Sequence, residues 1–192
     1  AIEPLKENGF EVILLNRSDC DLLDKKEIID FVKKNRADYL LHFAWNTKKG
    51  YLNSPDNFDY ESSSLNLLKA FIEFGGSRAL FAGTCLEYDF KEGKKEYFEE
   101  DEINPKTNYA KAKAELFKKA QELCKTKDCS FSWGRIFSVF GKNENPHRLT
   151  PVLINNLKNN KEVVINFSFL KRDYMYAKDV ASAFVEILKS DF

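Results

Sequence analysis

Apolar positions along this chain fall into short unbroken blocks, separated by longer stretches in which they recur every three or four residues. The runs at 10–15 (FEVILL), 39–43 (YLLHF) and 79–82 (ALFA) have the length and continuity of strands buried on both faces. Between them, 24–34 (DKKEIIDFVKK) places Ile28, Phe31 and Val32 on one helical stripe, with Asp24 positioned as its N-cap. Residues 62–74 (SSSLNLLKAFIEF) form a second amphipathic helix closed by Gly75 and Gly76, and 2–9 read as the last turns of a helix ended by Gly9. A helix rich in Ala, Lys and Glu is expected over 107–124, opened by Pro105. The remainder reads as mostly strand over 130–139, helix over 147–159, strand over 162–165 and a last helix over 179–189. The charged stretch 91–102 reads as a solvated loop.

Strands alternating with helices of this length require crossover connections, and hence a parallel sheet covered on both faces. The expected class is α/β, a doubly wound parallel sheet of Rossmann type. Composition fits one main core: 192 residues, 43% apolar, with 17 Phe, 8 Tyr and 2 Trp to bury. Thirty basic residues balance thirty acidic ones, so a nucleic-acid binder acting through bulk positive charge is not expected. The cysteines, Cys20, Cys85, Cys124 and Cys129, lack the close pairing of a zinc knuckle. With His42 and His147 far apart in sequence, no metal site is expected. Reduced thiols and a cytoplasmic setting follow. No apolar stretch approaches the roughly 20 residues needed to cross a bilayer, so no membrane partner is expected.

In a doubly wound fold ligands sit beyond the carboxyl ends of the strands, which directs attention to Asn16 and Arg17, Ala44 and Trp45, Gly83 to Cys85, and Phe137 and Ser138. Tyr109 and Lys113 stand four apart, on one face of a helix. A phenol with a pKa near 10 is a poor proton carrier at neutral pH, and a neighbouring ammonium lowers that value. The same spacing recurs at Tyr174 and Lys178, just before the last helix. Tyr109 is the stronger candidate because it opens a long helix after a strand that ends in the hydroxyl residue Thr84.

Thr84 followed by Tyr109 within PKTNYAKAK (105–113) resembles the extended short-chain dehydrogenase/reductases. More narrowly, it is similar to the NAD(P)-dependent nucleotide-sugar epimerase/dehydratase family. DYLLHFAW (38–45), GTCLEY (83–88), GRIFSVFG (134–141) and KRDYMYAKDVA (171–181) resemble further motifs of that family in order and spacing.

The resemblance implies hydride transfer at a sugar carbon. Tyr109 would act as acid/base, Thr84 would bond the reacting oxygen, and Lys113 would hold the nicotinamide ribose and lower the Tyr109 pKa. Arg17, Asp21, Leu22, Phe43, Ala44, Trp45 and Ile136, with Tyr109 and Lys113, would bind the cofactor. Ser138, Arg148 and Arg172, with Thr84, would bind a nucleotide-diphosphate sugar. Neutral Asn16 beside Arg17 leans to NADP over NAD, since an arginine accommodates the 2′-phosphate. Trp45 is bulkier than the family's usual residue, and Ser138 stands where the family commonly has Asn.

Cys85 and Leu86 replace the Asp-Glu of 4,6-dehydratases, leaving an epimerase or a 4-ketoreductase. The alternative is a non-catalytic dinucleotide-binding sensor or scaffold. The family's first strand and glycine-rich turn are missing, and the substrate-binding segments are short. The expected layout is therefore a dinucleotide-binding domain over 1–140, truncated at its N-terminus, and part of a substrate-binding region with a returning helix over 141–192. The natural enzyme is expected to be longer, and to pair as a homodimer through the helices at 62–74 and 107–124.

Overall fold

The structure, a computed structural model, describes residues 1–165 and 171–190. In chain order the elements are α1 (Ile2–Glu7), α2 (Lys25–Lys34), β1 (Tyr39–His42), α3 (Asp56–Glu73), β2 (Arg78–Thr84), α4 (Asn108–Thr126), β3 (Ser130–Ile136), β4 (Ser138–Phe140), α5 (Leu149–Lys158), β5 (Tyr174–Tyr176) and α6 (Ala177–Lys189). Strands β1, β2 and β3 form a parallel sheet with β2 central, linked by the crossovers β1–α3–β2 and β2–α4–β3. Strands β4 and β5 form a separate parallel pair, with Ser138 opposite Tyr174.

All seven residues of β2 are buried. Side chains alternate across a strand, so Ala79 and Phe81 pack with Leu68 and Phe71 of α3 and Leu116, Ala120 and Cys124 of α4. Leu80 and Ala82 meet Leu5 of α1 and Phe184, Val185 and Leu188 of α6 on the other face. A third cluster joins Ile28 and Val32 of α2 to Leu67 and Ala70 of α3. These opposed layers are the doubly wound arrangement that the apolar blocks imply.

Helix starts follow local chemistry. The Asp24 carboxylate accepts from the N–H groups of Lys26 and Glu27 at 2.8 and 3.1 Å, and Thr107 Oγ1 accepts from Ala110 N–H at 3.2 Å. Helix α3 begins at Asp56, six residues before the expected 62, because Pro55 fixes its entry and Asp56 and Asp59 suit its positive end. It closes at Gly75, whose φ of +99° disfavours a side chain.

Three expectations fail. Residues 10–15 make no strand: the backbone hydrogen bond found there runs from Phe10 N–H to the Leu5 carbonyl. An apolar cavity of about 340 Å³, lined by Val12, Ile13 and Leu14 on one side and Leu40, Leu41 and His42 on the other, lies between this run and β1. A strand exists only as one side of a ladder, and the backbones do not meet across this gap. Phe10 and Val12 still pack on the α6 cluster, so the run keeps its burial signal without its ladder. Residues 162–165 are likewise not a strand, and Val164 is 84% exposed. The expected strand over 130–139 divides at Phe137: β3 stays in the main sheet, and β4 turns away to pair with β5, which the sequence reading did not anticipate. Among the described residues no helix is long and apolar enough to cross a membrane.

Leu68 is fully buried between α3 and the sheet, whereas Leu157 of α5 is 66% exposed. Leu68→Ala should therefore cost about 2–5 kcal/mol of unfolding free energy in a denaturant titration, and Leu157→Ala less than about 0.5 kcal/mol.

Candidate active site

Thr84 ends β2, where the chain leaves the sheet in a single 3-10 turn, Cys85–Glu87. The turn is capped reciprocally: Thr84 Oγ1 accepts from Leu86 N–H at 3.3 Å, and Glu87 Oε1 accepts from Thr84 N–H at 2.8 Å. Helix α4 then brings Tyr109, in its first turn, to the same edge of the sheet. The Tyr109 ring lies edge-on to Tyr51 and Trp45, with centroids 5.1 and 5.9 Å away, and Thr84 lies close enough for its side chain to act on the phenol. Thr84 and Tyr109 thus meet at one edge of the sheet.

Lys113 is held inside the fold. Its ammonium donates to the Ala82 carbonyl at 2.8 Å and sits 3.9 Å from the centre of the Trp45 ring, with the Trp133 ring at 5.9 Å. The residue is 2% exposed. Burial pushes its pKa down to about 7, against the opposing pull of Glu87. The Tyr109 phenol moves above its ordinary range, through burial first and then the neighbouring Tyr51, with the Thr84 hydrogen bond opposing. The phenol is thus raised where a lowering was expected, because burial outweighs the other influences on it. His42, at the end of β1, stacks on Phe81 at 4.5 Å between centroids. Burial, with Lys113's charge second, drives its pKa down to about 3, so its ring is neutral.

Five of the expected cofactor residues, Arg17, Asp21, Leu22, Ala44 and Trp45, line one cavity of about 420 Å³. It lies beyond the ends of β1 and of the 10–15 run. Asp21 helps to shape it, accepting from Leu23 N–H at 3.0 Å while its own N–H donates to Glu27 at 2.7 Å. Trp45 bounds this cavity and also covers Lys113, and it is anchored by an Nε1–H bond of 2.8 Å to Asn57. Phe43 lines the adjoining 340 Å³ cavity, which Leu22 and Ala44 also line, with its ring against Phe184. Ile136 is opposite Thr84 in the ladder and packs toward α6.

The expected substrate residues diverge. Arg172 lies close enough to Cys85 for its charge to act on that thiol. Ser138 is held in β4, its N–H bonded to the Asp173 carbonyl at 3.1 Å. Arg148 caps α5, 61% exposed, in an ion pair with Glu144 at 3.4 Å. The second tyrosine–lysine pair lies apart, with Lys178 paired to Glu3 at 3.5 Å and Tyr174 exposed on β5. Glu87, Trp133 and Arg135 belong to the site and were missed by the sequence reading. The Thr84-to-Glu87 spacing of a capping box was the available signal.

Lys113 is charged in the unfolded chain up to about pH 10.5 but loses its proton near pH 7 when folded. Stability should therefore rise with pH between those values, by up to about 1.4 kcal/mol per pH unit from this residue. Below pH 7 the charge is present in both states and the burial penalty is felt in full. Lys113→Met should flatten that slope in denaturant midpoints compared at pH 7 and pH 9.

Comparison with known proteins places this geometry. The UDP-N-acetylglucosamine 4-epimerase of Bacillus cereus superposes with a TM-score of 0.85 over 99% of this chain and 67% of its own, at 21% identity. The UDP-glucose 4-epimerase of Thermotoga maritima, solved with UDP-glucose, gives 0.83 over 98% and 68%, at 20% identity. The Thermus thermophilus UDP-glucose 4-epimerase, solved with NAD, gives 0.80 over 98% and 70%, at 23% identity. A CDP-abequose synthase of Salmonella muenchen is 34% identical over 58 residues, 30% of this chain and 20% of that protein. The chain thus spans about two thirds of the solved epimerases, and its match to the synthase covers a fifth of that relative. At these identities the structures speak for fold alone. Residues 1–191, however, match the model of one family, and on that ground the chain belongs to the NAD dependent epimerase/dehydratase family.

Proposed function

We propose that this chain carries the acid/base site of an NAD(P)-dependent enzyme that acts on a nucleotide-diphosphate sugar, as a 4-ketoreductase or an epimerase. The observation that carries the reading is the approach of Tyr109 to Thr84 at the carboxyl edge of β2. When bound, the nicotinamide supplies or takes the hydride at the sugar carbon. The chain's own residues manage the proton. Tyr109 gives its phenolic proton to a keto oxygen in reduction, or receives one from a sugar hydroxyl in oxidation, while Thr84 hydrogen-bonds that same oxygen. Burial holds the phenol in its protonated form, the form that gives a proton to a keto oxygen in either activity.

The 420 Å³ cavity fits the nucleoside half of such a cofactor. Asp21 and Leu22 flank it on one side and Ala44 and Trp45 on the other, with Arg17 as the cation for a 2′-phosphate. Arg172, near Cys85 at the same edge, suits the diphosphate of the sugar nucleotide. The UDP-glucose bound to the Thermotoga maritima epimerase and the CDP-abequose named for the Salmonella muenchen relative support this assignment. The same reading takes the protein as a cytoplasmic homodimer paired through the outer faces of α3 and α4.

One observation favours a second reading, a dinucleotide-binding protein without redox chemistry: Lys113 is committed to the Ala82 carbonyl and the Trp45 ring. The two separate in one assay. Protein mixed with NADPH or NADH and a panel of nucleotide 4-keto sugars and hexoses should change nicotinamide absorbance or convert the sugar. Retention of cofactor with no turnover supports the second reading, and neither binding nor turnover overturns both.

Tyr109→Phe should lower kcat by about 10²-fold or more while cofactor is still retained. Arg17→Ala should raise KM for NADPH about tenfold with little change for NADH, because it removes a charge-assisted bond only the phosphate makes.

A further inference from the structure

We infer that Glu87 is a positioning residue of the acid/base set: a fixed, fully buried carboxylate that holds Thr84 at the edge of the sheet and sets the electrostatic field at Lys113. The inference rests on the reading of Thr84 and Tyr109 as the reacting pair, and it names a residue that this reading does not itself require.

Glu87 is 0% exposed, yet its carboxylate is fully engaged. Oε1 accepts from Thr84 N–H at 2.8 Å, the Trp133 indole N–H reaches both oxygens at 3.1 and 3.2 Å, and Arg135 Nε donates to Oε2 at 2.9 Å. Its backbone is held as well, because Asn104 N–H donates to the Glu87 carbonyl at 2.9 Å. The counter-charge is immobilised in turn: Arg135 Nη1 donates to the Tyr88 hydroxyl at 3.2 Å and the Glu99 carbonyl at 3.0 Å. Its guanidinium lies over the Tyr88 ring at 4.7 Å. Gly83 makes the approach possible, since a Cβ there would collide with the Trp133 indole nitrogen and come within 2.8 Å of Glu87 Oε1.

A buried ion pair is weak support for stability, because desolvating two charges offsets most of their attraction. What this one supplies is position. The bond to Thr84 N–H fixes the backbone from which the threonine hydroxyl projects, so the carboxylate and that hydroxyl are held by one turn of chain. Its negative charge also reaches the other members of the set. The groups that act on Lys113 are Glu87 from the turn after β2, His42 from β1, which is neutral, and the indole faces of Trp45 and Trp133. Glu87 is therefore the anion in that environment that opposes loss of the lysine proton.

The test reads Lys113 directly. In protein carrying ¹³C-labelled lysine, with the signal assigned by its loss in Lys113→Met, the Lys113 resonance should titrate with a midpoint near 7. Glu87→Gln keeps the size of the side chain and removes the charge, and should move that midpoint about one pH unit lower. Should Glu87→Gln fail to fold by circular dichroism, Glu87→Asp is read instead: its retracted charge should move the midpoint in the same direction by less. A folded variant with an unmoved midpoint overturns the inference, since a merely structural clamp would leave the lysine unchanged. Turnover in the same samples separates this from the parent reading. A lowered midpoint with full activity retained by Tyr109→Phe refutes the acid/base assignment and leaves the field exerted by Glu87 standing.

Discussion

Burial of β2 on both faces is the constraint from which the rest of this structure follows. A seven-residue strand with no exposed position must find apolar cover on each side, and its alternating side chains divide that demand between α3 with α4 and α1 with α6. The crossovers that deliver those helices return the chain to the same edge each time, so the ends of β1, β2 and β3 and the start of α4 converge there. Thr84 and Tyr109 meet because the covering of one strand leaves no other place for the α4 entry, which Thr107 caps. Arg78 ties the opposite end of β2 to its neighbours, donating to Ser130 of β3 at 2.9 Å and to the Ile187 carbonyl of α6 at 2.7 Å.

At the functional edge the cost of burial falls on charge. Lys113, Glu87 and His42 are each withdrawn from water, and the structure answers each differently. Glu87 receives a full set of donors and a guanidinium. Lys113 receives one carbonyl and two aromatic faces and gives up much of its hold on its proton. Among the described residues His42 finds no hydrogen-bond partner for either ring nitrogen, and it stays neutral against Phe81. The same low polarity raises the Tyr109 phenol above its ordinary range.

Much of the candidate site was legible as spacing. The tyrosine and lysine four apart on a helix, and the hydroxyl at the end of a fully apolar strand, could be located without coordinates, as could Ala44 and Trp45 beyond β1, whereas Asp21 and Leu22 rested on the family resemblance. Glu87 was less legible, since its role depends on Trp133 and Arg135, forty-six and forty-eight residues away. The expected strand at 10–15 misled because an apolar run reports burial, and burial is satisfied there by packing on α6 without a ladder. The unforeseen pair β4–β5 is the converse: three-residue strands carry too little pattern to be read alone, and they exist because Ser138 and Tyr174 happen to face one another.

The sequence by itself determined the layer architecture, most of the helices and the cap at Asp24. Each of these rests on contacts between residues near in the chain or on a periodicity that any folded arrangement must respect. Only the tertiary structure decided where the Lys113 ammonium points, that Trp45 both covers it and lines the 420 Å³ cavity, and that a glutamate beneath Thr84 is clamped from β3. Those outcomes depend on side-chain directions at long sequence separation. The free energy of a charge is set by every neighbour that replaces its water, and the order of residues along a chain does not say which neighbours those will be.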